Sequence, residues 1–127
     1  EEHVHQVSRR TGLPIHLKML DVPEAVPLDQ ATCLFRVMQE SVQNVVKHEQ
    51  ATTVTVQLRG SSKGVGLSVI DNGKGFDPQD LRTHQQGLGL SSMEERLRQL
   101  HGFFRIQSRP SHGTKVCAWV PCEVEVT

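Results

Sequence analysis

Apolar residues along the chain recur first at spacings of two and later at spacings of three and four. From Leu13 to Leu20, apolar Ile15, Leu17 and Met19 alternate with their neighbours, which predicts a strand. From Asp29 to His48, the spacing of three and four predicts a long helix. Its apolar stripe consists of Ala31, Leu34, Phe35, Met38, Val42 and Val45. We therefore expect this helix to pack on a sheet.

Two strand pairs follow the helix, each joined by a short polar turn. Thr52–Arg59 and Val65–Ile70 are rich in β-branched residues and flank a Ser-Ser-Lys-Gly turn. Phe103–Ser108 and Lys115–Val120 flank a turn that contains proline and glycine. Both pairs are predicted to be antiparallel hairpins.

The segments between and before these strands complete the predicted order of elements. Residues 71–90 are polar and rich in glycine and are predicted to be a loop. Ser91–His101 is predicted to be a helix that Gly102 ends, with Met93, Leu97 and Leu100 facing inward. Residues 1–12 are interpreted as the end of a helix leading in from an upstream region.

The order of the predicted elements indicates the fold class. Strands and helices do not alternate strictly, as they would in a doubly wound parallel sheet. We expect an α+β fold, a two-layer sandwich with a mainly antiparallel mixed sheet and helices on one face. Residues 13–127 form one domain of ordinary size.

Charge and cysteine content exclude several classes of function. The chain has 14 Lys and Arg against 14 Asp and Glu, so no general affinity for nucleic acid is expected. Three cysteines, an odd number, argue against a disulfide framework. No Cys-x-x-Cys or His-x-x-x-His pairing supports a structural zinc site. An anion site would have to be a local pocket.

The long helix carries a polar row besides its apolar stripe. At about 100° per residue, Glu40, Asn44 and Lys47 fall on one side of the helix. Such a row is usually a solvated face, which is the simpler interpretation. Asn44 favours a ligand site instead, because asparagine is a middling helix former and its carbonyl suits Mg²⁺.

Three further segments combine glycine with polar residues. Asp71–Phe76 places an acid at a strand end before two glycines, which also suits a simple turn. Gly87–Leu90 precedes a helix and could offer backbone N–H groups to phosphate, or serve only as a flexible joint. Gly113-Thr114 opens the last strand, where threonine is also a good hairpin exit. Neither the dinucleotide fingerprint nor the Gly-Lys-Ser/Thr phosphate loop is present.

The order of these motifs resembles that of the ATPase domains of sensor histidine kinases. Gln39–His48 is similar to their N box, Asp71–Phe76 to the first glycine box and Gly87–Leu90 to the second. Gly113-Thr114 matches the closing threonine motif. The resemblance runs from about residue 13 to residue 121. It implies the Bergerat-type sandwich shared with DNA gyrase, mismatch-repair ATPases and the large heat-shock chaperone. Three features are most similar to the nitrate/desaturase-type sensors: the Lys47-His48 ending of the N box, the short lid and the motif Met93-Glu94-Glu95-Arg96.

The resemblance implies that ATP and Mg²⁺ are the cofactors. It also assigns a role to each polar residue of the N box on the long helix. Asn44 would ligate the Mg²⁺ that bridges the phosphates. Lys47 would contact phosphate oxygens, with His48 beside the sugar or the phosphates. Glu40 would orient the magnesium shell rather than activate water, because a kinase must protect the γ-phosphate.

The resemblance also assigns roles to the loops. Asp71 would accept a hydrogen bond from the adenine amine, supported by Thr114. Gly73 and Gly75 would shape the pocket floor. Residues 77–86 would form a lid, and the segment of Gly87, Leu88, Gly89 and Leu90 would bind near the phosphates.

The implied reaction transfers the γ-phosphoryl of ATP to a histidine on a separate dimerisation domain. Neither His3 nor His5 is followed by an acid, so we expect the acceptor outside this chain. The phosphoryl group would pass to a response regulator with a helix-turn-helix output domain. The isolated domain is expected to be cytoplasmic and monomeric and to transfer little, whereas the full-length protein would be a homodimer, with a membrane anchor as an open option.

Two other interpretations share the fold. One is a stand-alone serine kinase of the anti-sigma-factor type. The other is a nucleotide-free interaction module, against which the intact Asn44, Asp71, Gly75 and Gly89 argue.

Overall fold

Five strands and two helices follow one another along the chain in a computed structural model, which describes residues 12–23, 25–75 and 90–122. Within that part, nothing is described for the side chains of residues 48, 49, 90 and 91. The elements are β1 (Ile15–Leu20), α1 (Leu28–Asn44), a π-helical turn (Val45–Glu49), β2 (Val54–Gly60), β3 (Gly64–Asp71), α2 (Leu90–Gln99), β4 (Phe103–Ser108) and β5 (Thr114–Pro121).

The five strands form one mixed sheet in the order β1-β2-β3-β5-β4. β1 runs parallel to β2, and every other neighbouring pair is antiparallel. Both predicted hairpins, β2–β3 and β4–β5, are therefore confirmed. The α+β fold class with a mainly antiparallel mixed sheet is confirmed as well.

The two faces of the sheet differ sharply in polarity. Alternate residues of each strand face α1 and α2, and this inner face with the buried side of the helices forms the core. The side chains most completely buried in it are Val37, Val54, Val56, Val65, Leu67, Val69, Leu97 and Val120. The opposite face of the sheet, called the outer face below, has no helix over it among the described residues.

The buried side of α1 is rotated relative to the predicted stripe. Phe35 is 44% exposed, so its assignment to the apolar stripe was wrong. Cys33 and Val37 are buried instead, together with the predicted Leu34 and Met38. Phe35 borders an apolar cavity of about 330 Å³ together with Leu34 and Met38.

The end of α1 also differs from the prediction. The α-helical hydrogen bonding stops at Asn44, and a π-helical turn continues from Val45 to Glu49. Gln50 then adopts a left-handed conformation with φ 54° and ends the turn. A uniform rotation of 100° per residue therefore does not hold beyond Asn44, and the predicted angular position of Lys47 needs correction.

The end of α2 is set by His101, and the prediction that Gly102 stops the helix was wrong in detail. His101 has φ 63°, and its N–H donates to Arg98 O while Gly102 N–H donates to Leu97 O. This pattern is a Schellman ending with histidine at the left-handed position. Gly102 is needed for a different reason, since a Cβ there would lie 2.1 Å from Trp119 O.

The remaining differences concern element boundaries. β1 begins at Ile15 rather than Leu13, and β2 begins at Val54 rather than Thr52. The predicted helix end at residues 1–12 and most of the predicted loop at 71–90 lie outside the described residues. Within the described part, no helix has the length and apolar content needed to span a bilayer.

Candidate functional site

Three buried polar side chains lie side by side at one end of the inner face of the sheet. Asp71 is paired in register with Thr114 on β5, and Thr114 is paired with Ser108 on β4. Side chains at such facing positions have Cβ atoms about 4.5–5.5 Å apart. The next inner row is wholly apolar and consists of Leu17, Val56, Val69, Val116 and Ile106. The polar residues are thus confined to the end of the sheet, where a ligand could reach them.

Asp71 is the last residue of β3 and is 7% exposed. Its Oδ1 accepts a hydrogen bond of 2.7 Å from the backbone N–H of Gly73. A buried carboxylate is costly unless it is hydrogen-bonded, and it can accept several hydrogen bonds at once. Its chemistry at this end of the sheet is therefore that of a fixed acceptor for N–H groups.

Ser108 completes the row and was missed in the sequence analysis. Its Oγ donates to Gly113 O at 3.0 Å and lies 2.8 Å from Thr114 Oγ1. The two hydroxyl-bearing residues are each 8% exposed. The signal that could have identified Ser108 is its position in β4, where it follows Phe104 and Ile106 on the inward-facing alternation.

Two glycines allow the loops at this end to pack backbone against backbone. Gly113 has φ 74°, and a Cβ there would lie 2.1 Å from Asp71 O. Gly75 has φ 64°, and a Cβ there would lie 2.0 Å from Arg109 O. Ser111 N–H also donates to Lys74 O. Gly73 is buried as well, and the roles of Gly73 and Gly75 in shaping a pocket floor stay predictions.

Asn72 links this end of the sheet to the turn that follows α1. Its Oδ1 accepts from the backbone N–H groups of Thr52 and Thr53, at 2.9 and 3.0 Å, and its Nδ2 donates to Thr52 Oγ1 at 2.6 Å. No role was predicted for Asn72 beyond its place in the first glycine box. The side chain fixes the segment before β2 against the loop after Asp71.

The polar row of α1 is divided between two kinds of helix. Glu40 and Asn44 lie one turn apart in the α-helical part and are partly buried, whereas Lys47 lies in the π-helical turn and is exposed. His48 is in the same turn. π-helical turns occur frequently at functional sites. The turn lies at the end of α1, and the segment that follows it is bound by Asn72.

Two recesses in the surface are lined in part by residues predicted to bind the nucleotide. A cavity of about 220 Å³ is bordered by Asp71, Ser108 and Thr114 and also by Arg109 and Lys115. Its volume lies below the 300–1,000 Å³ of ordinary ligand pockets, so it suits one part of a ligand rather than a whole nucleotide.

A larger cleft of about 750 Å³ lies between α1 and α2 and includes Glu40. The described residues do not join the two recesses into one pocket. In the chain, residues 72–89 lie between β3 and α2.

The described residues contain no group of three His, Cys, Asp or Glu side chains that could hold a metal ion. A magnesium ion at Asn44 would therefore take its remaining oxygens from phosphates and water, which is how Mg²⁺ is commonly held at nucleotide sites. Asn44, with its carbonyl oxygen and partial burial, fits that limited role.

Several predicted site residues lie where the structure describes no side chain. Gly87, Leu88 and Gly89 are outside the described residues, as are Phe76 and the predicted lid at residues 77–86. Leu90 is the first residue of α2, so the glycine segment directly precedes a helix, as predicted.

Comparison with known proteins gives a consistent family. The model of the histidine kinase-, DNA gyrase B- and HSP90-like ATPase family matches residues 29–124. The signal transduction histidine-protein kinase/phosphatase DegS of Brevibacillus brevis is 30% identical over 98% of this chain and 32% of its own length. The nitrate/nitrite sensor protein NarX of Escherichia coli K12 is 33% identical over 91% of this chain and 19% of its own length. The chain thus spans about a third or less of these relatives.

A solved structure has the same fold. The histidine kinase domain of the blue-light activated histidine kinase EL346 from Erythrobacter litoralis superposes with a TM-score of 0.74. The match covers 95% of this chain and 62% of that one at 19% sequence identity.

Proposed function

Because the family model covers most of its length, the chain belongs to the histidine kinase-, DNA gyrase B- and HSP90-like ATPase family, and we propose that it is the ATP–Mg²⁺-binding catalytic domain of a two-component sensor histidine kinase. Two of its relatives, DegS and NarX, carry the names of a histidine kinase and of a sensor protein. In this proposal, the chain carries the nucleotide-binding site of a sensor histidine kinase.

The observation that carries the proposal is the buried row of Asp71, Thr114 and Ser108 at the end of the inner face. Asp71, held by Gly73 N–H, would accept the exocyclic amine of adenine. Guanine has a carbonyl oxygen at that position and would meet the carboxylate acceptor to acceptor. Thr114, fixed by Ser108, would support the same base with its hydroxyl group. The carboxylate would thus select adenine.

The phosphates would lie toward α1 and the start of α2. Asn44 would ligate Mg²⁺ through its side-chain oxygen, and Glu40 one turn before it would orient the water around the ion. Lys47, exposed in the π-helical turn, and His48 beside it would contact phosphate oxygens. The backbone N–H groups at Leu90 and before it would offer a positive helix end to the phosphates.

In the proposed reaction, a histidine nitrogen on a separate dimerisation domain forms a bond to the γ-phosphorus while the bond to the bridging oxygen breaks and ADP leaves. This chain's residues position the triphosphate and offset its charge. The magnesium ion, when bound, would neutralise charge on the phosphate oxygens. The phosphoryl group would pass to a response regulator with a helix-turn-helix output domain, and the full-length protein would be a homodimer.

The proposal is tested by titrating the chain with ATP–Mg²⁺ and with GTP–Mg²⁺ in a calorimeter. Asp71→Asn should weaken ATP binding by about tenfold or more, since a hydrogen bond to a charged group contributes about 1.5–3 kcal/mol. The same change should not weaken GTP binding and should improve it, because the new amide can donate to the guanine oxygen. Asp21→Asn makes the same chemical change at an exposed turn and should leave ATP affinity unchanged. Absence of heat with ATP at high micromolar concentration, or equal losses for both nucleotides in Asp71→Asn, would count against the assignment.

A further inference from the structure

The charged side chains on the outer face of the sheet all have the same sign. Lys18, Arg59, Arg105 and Lys115 point to this face, with His16 at its edge, as strand alternation and register require. The outward positions of the five strands include no Asp or Glu. The chain as a whole has 14 charges of each sign, so the described outward strand positions carry only one of the two.

These cations make no ion pair with the part of the chain that the structure describes. None of the four has an ion-pair partner among the described residues, and the ion pairs found there join Arg98 to Glu94 and Glu95 on α2. An ordinary solvated sheet face mixes both signs of charge, which lowers its surface potential. The described outward positions instead carry four cations and no acid, which favours an acidic partner.

An aromatic pair lies at one end of the same face. Phe103 is 59% exposed, and its ring stacks on that of Trp119 with centroids 5.6 Å apart and planes 17° apart. A Cβ added at Gly66, the register partner of Trp119 on β3, would lie 3.7 Å from the indole ring, so the indole extends toward that strand. Stacking holds the phenylalanine rigid while it is exposed, so binding to it costs little side-chain entropy.

Small side chains form the floor between the aromatic pair and the cations. Ser68 and Cys117 are register partners in the middle of the face, with their Oγ and Sγ atoms 3.8 Å apart. Lys18 and Arg59 lie on the β1–β2 side of this floor, and Arg105 lies on the β4 side. The face therefore has a shallow apolar and aromatic strip with positive charge on both sides.

We propose that the outer face docks an acidic protein segment in which carboxylates flank an aromatic or large aliphatic side chain. The carboxylates would lie against Arg59 and Arg105, and the apolar side chain would cover Phe103. A second copy of this face is a poor occupant, because like charges would meet. A single-stranded nucleic acid fits less well, because such sites stack successive bases on separate rings, whereas these two rings stack on each other. The surface is distinct from the row of Asp71, Thr114 and Ser108 on the inner face.

The size of the face predicts a weak and transient contact. Five strands at about 4.8 Å spacing and six residues at about 3.3 Å rise give a face of roughly 20 by 20 Å. The resulting area of about 400 Å² is half of what one partner buries in an ordinary stable interface. Binding should therefore be sensitive to salt, since screening acts within about 10 Å at 0.1 M.

The test uses the ¹⁵N-labelled chain and a short synthetic peptide in which glutamates flank a central phenylalanine. Backbone amide shifts should change in β2, β4 and β5 on the outer face, with affinity falling at least tenfold between about 0.05 and 0.5 M salt. The double variant Arg59→Glu with Arg105→Glu should bind at least tenfold more weakly, and Phe103→Ala several-fold more weakly. Arg98→Glu makes the same charge change on the helix side and should stay within about twofold. The same peptide with lysines in place of glutamates should not bind.

Four outcomes would overturn the proposal: no shift at millimolar peptide, shifts confined to the helices, equal weakening by Arg98→Glu, or tighter binding of a single-stranded oligonucleotide or of phosphatidylglycerol vesicles than of the peptide. Thermal melts of each variant check that the fold is retained. ATP affinity, measured on the same variants, should not change. Loss of peptide binding with ATP binding retained is thus distinguishable from failure of the nucleotide site.

Discussion

Ser108 shows how one buried hydroxyl can hold two parts of a site. Its Oγ bridges Gly113 O, in the β4–β5 turn, and Thr114 Oγ1, the neighbour of Asp71 on the inner face. Asp71 itself could be predicted, because an acid before spaced glycines at a strand end is a local pattern. Ser108 could not, because its importance depends on which residue of β5 lies opposite it, and pairing register is not a local property.

Ser108→Ala should lower the free energy of unfolding by about 1–2 kcal/mol, because it leaves Gly113 O and Thr114 Oγ1 without this partner. ATP affinity should fall as well, since Thr114 would no longer be fixed in orientation. Chemical denaturation and calorimetric titration measure the two effects. Ser68→Ala removes a hydroxyl from the outer face, where its partner is the weakly bonding Cys117 Sγ, and should change both quantities little. A nucleotide affinity unchanged in Ser108→Ala would separate this serine from the site.

At the scale of elements, α1 combines a packing side with a side available to a ligand. Cys33, Leu34, Val37 and Met38 hold it on the sheet, whereas Asn44 lies at the junction with the π-helical turn. Because the buried side of the helix is filled by other residues, changes on the polar side should affect ligand binding more than stability.

Asn44→Ala should therefore reduce the magnesium-dependent part of ATP affinity while the thermal melt of the free chain stays nearly the same. Alanine is the better helix former, which offsets part of any lost side-chain contact. Calorimetric titration with ATP, with and without Mg²⁺, measures the first effect and a melting curve the second. Gln43→Ala, one residue earlier on an exposed position, is the matched control. A large drop in melting temperature would instead make Asn44 a structural residue.

The helix boundaries show where local patterns stop being informative. Spacings of three and four predicted the existence of both helices, and the inward side of α2 was confirmed by the burial of Leu97. The same pattern placed Phe35 in the core, because periodicity records polarity but not which side of the helix faces the sheet. The π-helical turn and the left-handed His101 also have no composition signal. At His101, histidine takes the left-handed position of a helix ending where glycine or asparagine is the usual choice.

At the scale of the whole molecule, one sheet presents two faces with different chemistry. The inner face is apolar except for its terminal row, and the outer face is cationic and aromatic. The alternation within each strand made the separation of faces predictable from the sequence. The collection of one charge sign on the outer face was not, because it depends on the order β1-β2-β3-β5-β4 and on the register of every pair.

The three cysteines differ in burial, and this difference predicts how fast each thiol reacts. Cys33 is buried on α1, and burial raises the pKa of its thiol more than the nearby Arg96 guanidinium lowers it. Burial also raises the pKa of the Cys122 thiol at the end of β5. Cys117 is only partly buried and lies on the outer face. At neutral pH a thiol reagent should therefore modify Cys117 rapidly and the other two slowly, since thiolate is the reactive form and access is required.

Labelling of Cys33 should require opening of the core, which in a domain of ordinary stability slows the reaction by about a thousandfold or more. Mass spectrometry of the labelled chain identifies the sites, and Cys117→Ser should remove the fast phase. In denaturant all three thiols should react at similar rates. Rapid labelling of Cys33 in the native chain would mean that α1 does not pack on the sheet as described. The positions of Glu40 and Asn44 on that helix would then be wrong as well.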